Sequence, residues 1–274
     1  MDEYSEANRR HWDEVVPIHV SSEMYDVAGF KAGETRLKAV ELEELGDVRG
    51  KSLLHLQCQF GLDTLSWARE GAAVTGVDFS EAGIETARAL AGETGIDARF
   101  VVSDVFALPK NLDGTFDIVF TSYGALNWLR DMDAWARVAA HFVRPGGTLY
   151  LAEFHPFASV FDDRPDVTEL RVHYPYFASG EPVRSDDDGT YTNREASVEN
   201  KLTYDWPHPI SEVLTAIIDA GLHIEFLHEF PRTPYQSLPF MEPAADGAFR
   251  LTKHDGCVPL IYSIKATKPE ALGS

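Results

Sequence analysis

Two acidic residues stand at the ends of short apolar segments and have the spacing needed to bind a nucleoside. The first apolar segment, residues 52–57, enters a turn that reaches Gly61 and then a helical pattern. Asp78 ends the second segment about 20 residues after that turn, where a carboxylate can accept hydrogen bonds from both ribose hydroxyls. Asp104 follows the third segment and could accept a hydrogen bond from an adenine amino group. The carboxyl ends of parallel strands meet at one sheet edge, so the sequence predicts an adenosine site there.

Strand and helix patterns alternate along the chain, as in a parallel sheet whose crossover helices cover both faces. Strands are predicted at residues 52–57, 73–78, 99–102, 116–121 and 148–153, and helices at 34–45, 62–70, 80–91 and 132–142. Ser80 is expected to cap the helix that follows the second strand. A further helix at 210–220 precedes strands at 222–230 and 259–267, which predict a hairpin at the sheet edge. The predicted fold is therefore α/β, with a Rossmann-like, mostly parallel seven-stranded sheet.

Composition excludes several classes of partner. The formal net charge is -20, the opposite of what nucleic-acid binding requires. No apolar run approaches membrane length, and the first ten residues lack the apolar core of a signal peptide. The two cysteines, Cys58 and Cys257, lie far apart and offer no disulfide framework. We expect a cytoplasmic protein without nucleic-acid or membrane partners; the sequence does not specify an oligomeric state.

The motifs around the two carboxylates resemble those of the class I S-adenosylmethionine-dependent methyltransferases, in the branch that includes ubiquinone-biosynthesis-type enzymes. The resemblance covers about residues 36–155 and is carried by the segments 74–80, 115–120 and 144–149 together with Asp104. The first motif of that family is an acidic residue followed by Gly-x-Gly-x-Gly. The equivalent positions here are His55, Gln57, Gln59 and Gly61.

This resemblance implies S-adenosylmethionine as the cofactor, S-adenosylhomocysteine as its product and a defined set of binding residues. The predicted cofactor-binding residues are Gln57, Gly61, Asp78, Phe79, Asp104, Val105, Ser122 and Tyr123, with Trp12 and Tyr25 from the N-terminal segment. Trp12 and Tyr25 could fold across the cofactor or merely anchor their helix. Asp117 lies at the start of its strand, opposite this edge, so a structural role is favoured for it.

His155 and Tyr123 are the predicted catalytic residues. Methyl transfer is an in-line displacement, so most of the rate can come from holding the acceptor in line with the methyl group. His155 follows the fifth strand and is a candidate general base, or else a histidine that only occupies a turn before proline. His19 and His208 are weaker candidates for the base. A metal site is not predicted, because His223 and His228 would face opposite sides of one strand.

The chain is predicted to be one domain with two additions to its core. Residues 1–33 would form an N-terminal helical flap, 34–155 the cofactor-binding core, 156–207 a substrate lid inserted after strand five, and 208–274 the last helix and strands. The lid and a later loop are rich in aromatic side chains: Tyr174, Tyr176, Phe177, Tyr191, Tyr204, Trp206, Tyr235 and Phe240. They could enclose an aromatic or heterocyclic small molecule, or form the core of the lid itself.

Methyl transfer to a small organic molecule is the predicted activity, and two other functions use the same features. An NAD-dependent oxidoreductase would share the turn and the ribose carboxylate, but it requires the complete glycine fingerprint that Gln57 and Gln59 interrupt. A non-catalytic protein that binds S-adenosylmethionine or S-adenosylhomocysteine would tolerate an altered turn. The lid and flap favour an enzyme, because enclosure of a substrate is what such segments provide.

Overall fold

The computed structural model describes residues 1–177 and 180–270. The strands of this part of the chain are β1 Ser52–Leu56, β2 Ala73–Asp78, β3 Arg99–Val102, β4 Phe116–Ser122, β5 Val143–Phe154, β6 Val183–Ser185, β7 Thr203–Asp205, β8 His223–Phe230, β9 Met241–Pro243, β10 Phe249–Leu251 and β11 Ile261–Thr267. The helices are α1 Glu3–Val20, α2 Val27–Lys31, α3 Ala39–Leu45, α4 Leu62–Arg69, α5 Glu81–Thr94, α6 Met132–Phe142 and α7 Ile210–Asp219.

Within the described residues, seven strands form one sheet in the order β3-β2-β1-β4-β5-β11-β8. The first five strands in chain order are parallel to one another, and β11 runs antiparallel to both β5 and β8. Strand order reverses between β1 and β4, and a crevice at such a reversal is where ligands bind in open α/β sheets. The predicted Rossmann-like sheet is confirmed.

Helices cover both faces of the sheet. The buried side chains of α6 and α7 pack with Leu54 and Leu56 of β1 in the largest apolar cluster. On the other face α4 and α5 pack with Phe60 and with apolar residues of α1 and α2. Ser80 caps α5 as predicted, accepting a hydrogen bond of 2.9 Å from the backbone N–H of Gly83. That cap ends β2 at Asp78 and leaves its carboxylate at the edge of the sheet.

Two boundaries differ from the sequence prediction in ways that matter for the site. The helix predicted at 34–45 begins only at Ala39, because the carboxylate of Glu41 accepts a hydrogen bond from the backbone N–H of Lys38 and fixes the first turn there. Arg36 and Lys38 therefore precede the helix in extended chain. The strand predicted at 148–153 is β5, which begins earlier, at Val143, with Gly146 at a φ of 71° where the register against β4 shifts.

The last two sheet strands pair as predicted, but they are not a tight hairpin. Residues 231–260 separate β8 from β11, and this connection contains the small antiparallel pair of β9 and β10. A connection of that length reaches back over the carboxyl edge of the sheet, and its residues 235–238 line the cavity described below.

The segment 156–207 lies beside α1. Its strands β6 and β7 form a two-stranded antiparallel sheet. Asn8 of α1 donates a hydrogen bond of 2.7 Å to the carbonyl of Tyr204 and accepts one of 2.8 Å from its N–H, as a neighbouring strand would. The carboxylate of Glu14 accepts from the backbone N–H groups of Glu199 and Asn200. Asn8 and Glu14 of the first helix thus join it by hydrogen bonds to residues 199–204 of the inserted segment.

The division into flap, core and lid stays a prediction. Residues 178–179 of the predicted lid and 271–274 at the end of the predicted C-terminal segment lie outside the described residues. None of the helices in the described part of the chain is both long enough and apolar enough to cross a membrane.

Candidate functional site

A cavity of about 820 Å³ opens at the carboxyl ends of the parallel strands. Its floor is formed by the turns that follow β1, β2, β3 and β4, and its other walls come from α1, the segment 156–207 and residues 235–238. Nine of the predicted site residues line it: Trp12, Tyr25, Gln57, Asp78, Phe79, Asp104, Val105, Ser122 and Tyr123. Gly61 and His155 are not on its wall.

The turn after β1 holds two glutamines in the left-handed region. Gln57 has a φ of 58° and Gln59 a φ of 53°, a conformation that costs a residue with a side chain roughly 1 kcal/mol or more. The side-chain amide of Gln57 donates a hydrogen bond of 2.7 Å to the carbonyl of Ala125. Its carbonyl oxygen, Oε1, is buried and has no partner among the described residues. A buried acceptor without a donor is costly, so this atom points to a ligand.

Asp78 is held beside that turn by backbone donors. Its carboxylate accepts hydrogen bonds of 2.8 Å from the N–H of Gln59 and 2.9 Å from the N–H of Ser80. Burial raises the pKa of Asp78 to about 7, although the two backbone N–H groups oppose the shift. Each carboxylate oxygen can accept a second hydrogen bond, so both remain able to receive a ribose hydroxyl.

Asp104 serves as a helix cap and also lines the cavity. Its Oδ1 atom accepts a hydrogen bond of 2.8 Å from the N–H of Phe106 and so caps the 3₁₀ helix Val105–Lys110. This is the structural role that a carboxylate at such a turn commonly has. The cap occupies one oxygen, and Asp104 lies on the same cavity wall as Phe79 and Val105.

The loop after β4 is fixed by a buried carboxylate at the end of β5. Glu153 accepts hydrogen bonds from the backbone N–H groups of residues 124–126. Tyr123, at a φ of 30°, donates its hydroxyl to the carboxylate of Glu41 at 2.9 Å. Burial raises the pKa of Glu41 to about 7. The Tyr123 hydroxyl is therefore already engaged, and its ring is presented to the cavity beside Ser122.

Two of the cations on the cavity wall, neither singled out by the sequence analysis, immediately precede α3. Arg36 is paired with Asp26 at 3.0 Å and with Glu34. Lys38 has no ion pair among the described residues, and its ammonium group lies 5.0 Å from the centre of the Tyr235 ring. Lys38 is thus the cation in this cavity best able to bind a carboxylate.

The side chain of Gln59 joins the turn after β1 to α1 and to the segment 156–207. Its side-chain amide lies 3.2 Å from Nδ1 of His19 on α1 and donates at 3.2 Å to the hydroxyl of Tyr191 in the inserted segment. The hydroxyl of Tyr191 is also hydrogen-bonded to that of Tyr25. The ring of Trp12 meets that of Trp128 edge to face, with centroids 5.3 Å apart. Tyr25 is therefore joined to the turn through Tyr191, and Trp12 packs against the residue that ends the 3₁₀ helix after β4.

His155 does not line the cavity, and its hydrogen bonds count against the predicted base. Its Nε2 atom lies 2.9 Å from the carboxylate of Glu229 on β8, and its Nδ1 atom accepts a hydrogen bond of 3.0 Å from the N–H of Phe157. The side chain is 5% exposed. Neither ring nitrogen is left to take a proton from an acceptor, so His155 fits the alternative role of ordering the turn.

Gly61 also has a structural role where cofactor contact was predicted. It begins α4 at a φ of 82°, and a Cβ atom there would lie 2.8 Å from the Cβ of Ala87 and 2.9 Å from the ring of Phe100. The glycine is required by the close approach of α5 and β3 beneath the turn.

The aromatic side chains of the lid and the later loop divide between the two expected roles. Tyr174, Tyr191, Trp206 and Tyr235 line the cavity. Tyr176 and Phe240 pack in a separate apolar cluster with other residues of these segments. Phe177 is exposed, and Tyr204 packs against Tyr4 of α1. Of the weaker histidine candidates, His208 lines the cavity and His19 lies behind Tyr25 and Tyr191.

Several lining residues carried a sequence signal that was missed. Glu153 ends a predicted strand, which is the same signal that identified Asp78. Lys38 was hidden inside a helix predicted too long. Asp63 is the second residue of α4 and accepts a hydrogen bond of 3.1 Å from Ser122. Asp205 and Trp128 lie in aperiodic sequence and gave no signal.

Comparison with known proteins agrees with this fold. Residues 53–147 match a family model described as a methyltransferase domain. By its motifs, its strand order and this match, the chain resembles the class I S-adenosylmethionine-dependent methyltransferases. S-adenosylmethionine is the cofactor of that class.

The curated relatives match a little more than half of the chain. The ubiquinone biosynthesis O-methyltransferase of Photorhabdus laumondii is 29% identical over 155 residues, which are 56% of this chain and 59% of the relative. That of Vibrio parahaemolyticus is 31% identical over 155 residues, 56% of this chain and 60% of the relative. The chain thus spans about three fifths of the length of these relatives.

A likeness to solved structures extends further along the chain. An S-adenosylmethionine-dependent methyltransferase from Mesorhizobium loti superposes with a TM-score of 0.56 over 83% of this chain and 97% of that protein, at 19% identity. At that identity the likeness shows the fold.

Proposed function

We propose that this protein transfers the methyl group of S-adenosylmethionine to a small organic molecule held in the same cavity. One observation carries the proposal. The Asp78 carboxylate and the buried, unpartnered side-chain oxygen of Gln57 line the same cavity of about 820 Å³. The first is suited to a ribose and the second to an ammonium group. The volume falls within the range typical of small-molecule sites.

The residues present fit the cofactor of the class. Asp78 would accept the two ribose hydroxyls, and Asp104 the adenine amino group. Oε1 of Gln57 would accept from the amino group of the methionine arm, and Lys38 would bind its carboxylate. The cofactor supplies an electrophilic methyl group on a sulfonium. Four polar groups on the wall therefore match four polar groups of one ligand, and these assignments support the proposal.

The chain itself contributes enclosure and alignment. The tryptophans at 12, 128 and 206 and Tyr191 shield the cavity from water on the side of α1 and the inserted segment. Positioning of this kind can supply most of the rate of an in-line displacement. We extend the proposal to residues 1–33 as a flap and 156–207 as a lid, because Asn8, Glu14 and Gln59 join them to each other and to the turn. His155 is not part of the proposed mechanism.

The finer expectations remain part of the proposal. An acceptor with an aromatic or heterocyclic ring would suit the aromatic walls. A net charge of -20 argues against a nucleic-acid substrate. Two free cysteines, one of them exposed, suit the reducing environment of the cytoplasm.

Calorimetric titration with S-adenosylhomocysteine and with NAD tests the cofactor. We expect binding of S-adenosylhomocysteine alone, with a loss of at least tenfold in Asp78→Asn and none in Asp113→Asn, an exposed aspartate before β4 at the opposite edge of the sheet. Binding of NAD instead would favour the oxidoreductase. A radiolabelled methyl-transfer screen over phenols, amines and heterocycles then tests catalysis. Tight binding with no turnover in any class would favour a protein that only binds the cofactor.

A further inference from the structure

Asp205 is a carboxylate on the cavity wall whose charge nothing in the described chain offsets. Each of the other lining carboxylates accepts at least one hydrogen bond, whereas Asp205 has neither a hydrogen bond nor an ion pair among the described residues. It lies at the end of β7, directly opposite Val183 of β6. Burial raises the pKa of Asp205 to about 6.

Tryptophan rings stand on the same side of the cavity. The backbone N–H of Trp206 donates a hydrogen bond of 2.7 Å to the backbone carbonyl of Asn127. This bond fixes the end of β7 against the 3₁₀ helix Leu126–Trp128. The ring of Trp128 meets that of Trp12 at 5.3 Å, and Tyr191 lies 6.3 Å from Trp12. Trp12, Trp128, Trp206 and Tyr191 all line the cavity. Aromatic faces attract cations, most strongly those of tryptophan.

The cations of the chain that line this side of the cavity are already paired. Arg184 binds Asp186 at 2.9 Å, and Arg194 lies 3.6 Å from Asp163. Lys38 lies over Tyr235, on the wall contributed by the later loop. A cation that neutralises Asp205 would therefore have to come with a ligand.

We propose that the methyl acceptor is an amine that enters as an ammonium ion and is held between Asp205 and the neighbouring tryptophan rings. This rests on the proposed methyltransferase function and specifies its substrate class. Asp205 accepts one proton from the ammonium group, and that proton passes to water. The nitrogen lone pair then forms the N–CH₃ bond while the C–S bond breaks, leaving its electron pair on sulfur as a thioether. The positive charge moves from sulfur to the methylated nitrogen, so the product is again a cation.

Matched pairs of small probes test this class. Calorimetry on protein saturated with S-adenosylhomocysteine would compare tryptamine with indole-3-ethanol, and 2-phenylethylamine with 2-phenylethanol, at pH 7.5. We expect each amine to bind at least tenfold more tightly than its alcohol, and radiolabelled methyl transfer to reach the amines only. Asp205→Asn should abolish the preference while leaving the affinities for the alcohols and for S-adenosylhomocysteine unchanged. Asp188→Asn removes the same charge from the same segment outside the cavity wall and should keep the preference.

The outcomes separate this inference from the function on which it rests. Failure to bind S-adenosylhomocysteine would overturn the proposed function. Normal cofactor binding with no binding of the amines, with equal binding of each pair, or with an undiminished preference in Asp205→Asn would overturn the amine inference alone. Methyl transfer to the alcohols at the same rate as to the amines would also overturn the amine inference alone. A melting temperature of Asp205→Asn equal to or above that of the wild type would show that the variant is folded.

Discussion

Cofactor affinity should depend on pH through Asp78. Burial raises the pKa of Asp78 to about 7 in the free protein, and the ionised form is the stronger acceptor for ribose hydroxyls. If only that form binds well, about one tenth of the protein is competent at pH 6 and about nine tenths at pH 8. Affinity for S-adenosylhomocysteine should therefore rise with pH, by about tenfold or about 1.4 kcal/mol between these values.

The assay is calorimetric titration with S-adenosylhomocysteine at pH 6, 7 and 8, in buffers of different ionisation enthalpy so that proton release is counted. Asp78→Asn should bind about 10- to 100-fold more weakly at pH 8 and show no slope with pH. Glu41→Gln is the control and should keep the slope of affinity with pH. Burial also raises the pKa of Glu41 to about 7, but its carboxylate is not on the cavity wall. A flat wild-type profile, or a slope that survives in Asp78→Asn, would refute the reasoning.

Three further substitutions separate structural roles from cofactor or catalytic ones. Gly61→Ala should lower the free energy of unfolding by about 2–4 kcal/mol in urea, because its φ of 82° and the 2.8 Å approach to Ala87 leave no room for a methyl group. An unchanged urea midpoint would contradict this. His155→Ala should lower the same free energy by about 1–3 kcal/mol and change kcat by less than about threefold. A fall in kcat of about 10²- to 10⁴-fold would instead support His155 as the general base. Gln59→Gly should keep the Kd for S-adenosylhomocysteine within about twofold, since the N–H that binds Asp78 remains, and should speed proteolysis of residues 156–207. A large gain in cofactor affinity would show that the glutamine obstructs the turn.

Local patterns were sufficient for the sheet and for most of the predicted residues that line the cavity. The bounds of β2, β3 and α6 follow from apolar periodicity and from caps such as Ser80, which act within a few residues. Asp78 was found because parallel strands bring their ends together whatever the contents of the turns. Such rules depend on topology, so they survive the replacement of two glycines by Gln57 and Gln59.

The failures came from contacts between residues distant in sequence. His155 does follow the fifth strand as predicted, but Glu229, two strands away in the sheet, occupies its Nε2 atom. Lys38 was missed because the cap that delays α3 depends on the side chain of Glu41. Asp205 lies in a segment whose position is set by hydrogen bonds to Asn8 and Asn127. The segment has no regular hydrophobic pattern from which these distant partners could be predicted.

The hydrogen bonds of Gln59 limit how freely this turn could be exchanged with that of a relative. In a glycine-rich turn the backbone alone meets the cofactor, and the covering segments can diverge independently. Here a single side chain spans from the turn to His19 and Tyr191, so the turn, the first helix and the inserted segment must change together. A chimera with a glycine turn in this place would keep the backbone hydrogen bond to Asp78. It would lose the side-chain hydrogen bonds to His19 of the first helix and to Tyr191 of the inserted segment. We therefore expect these three pieces to be transferable only as a set.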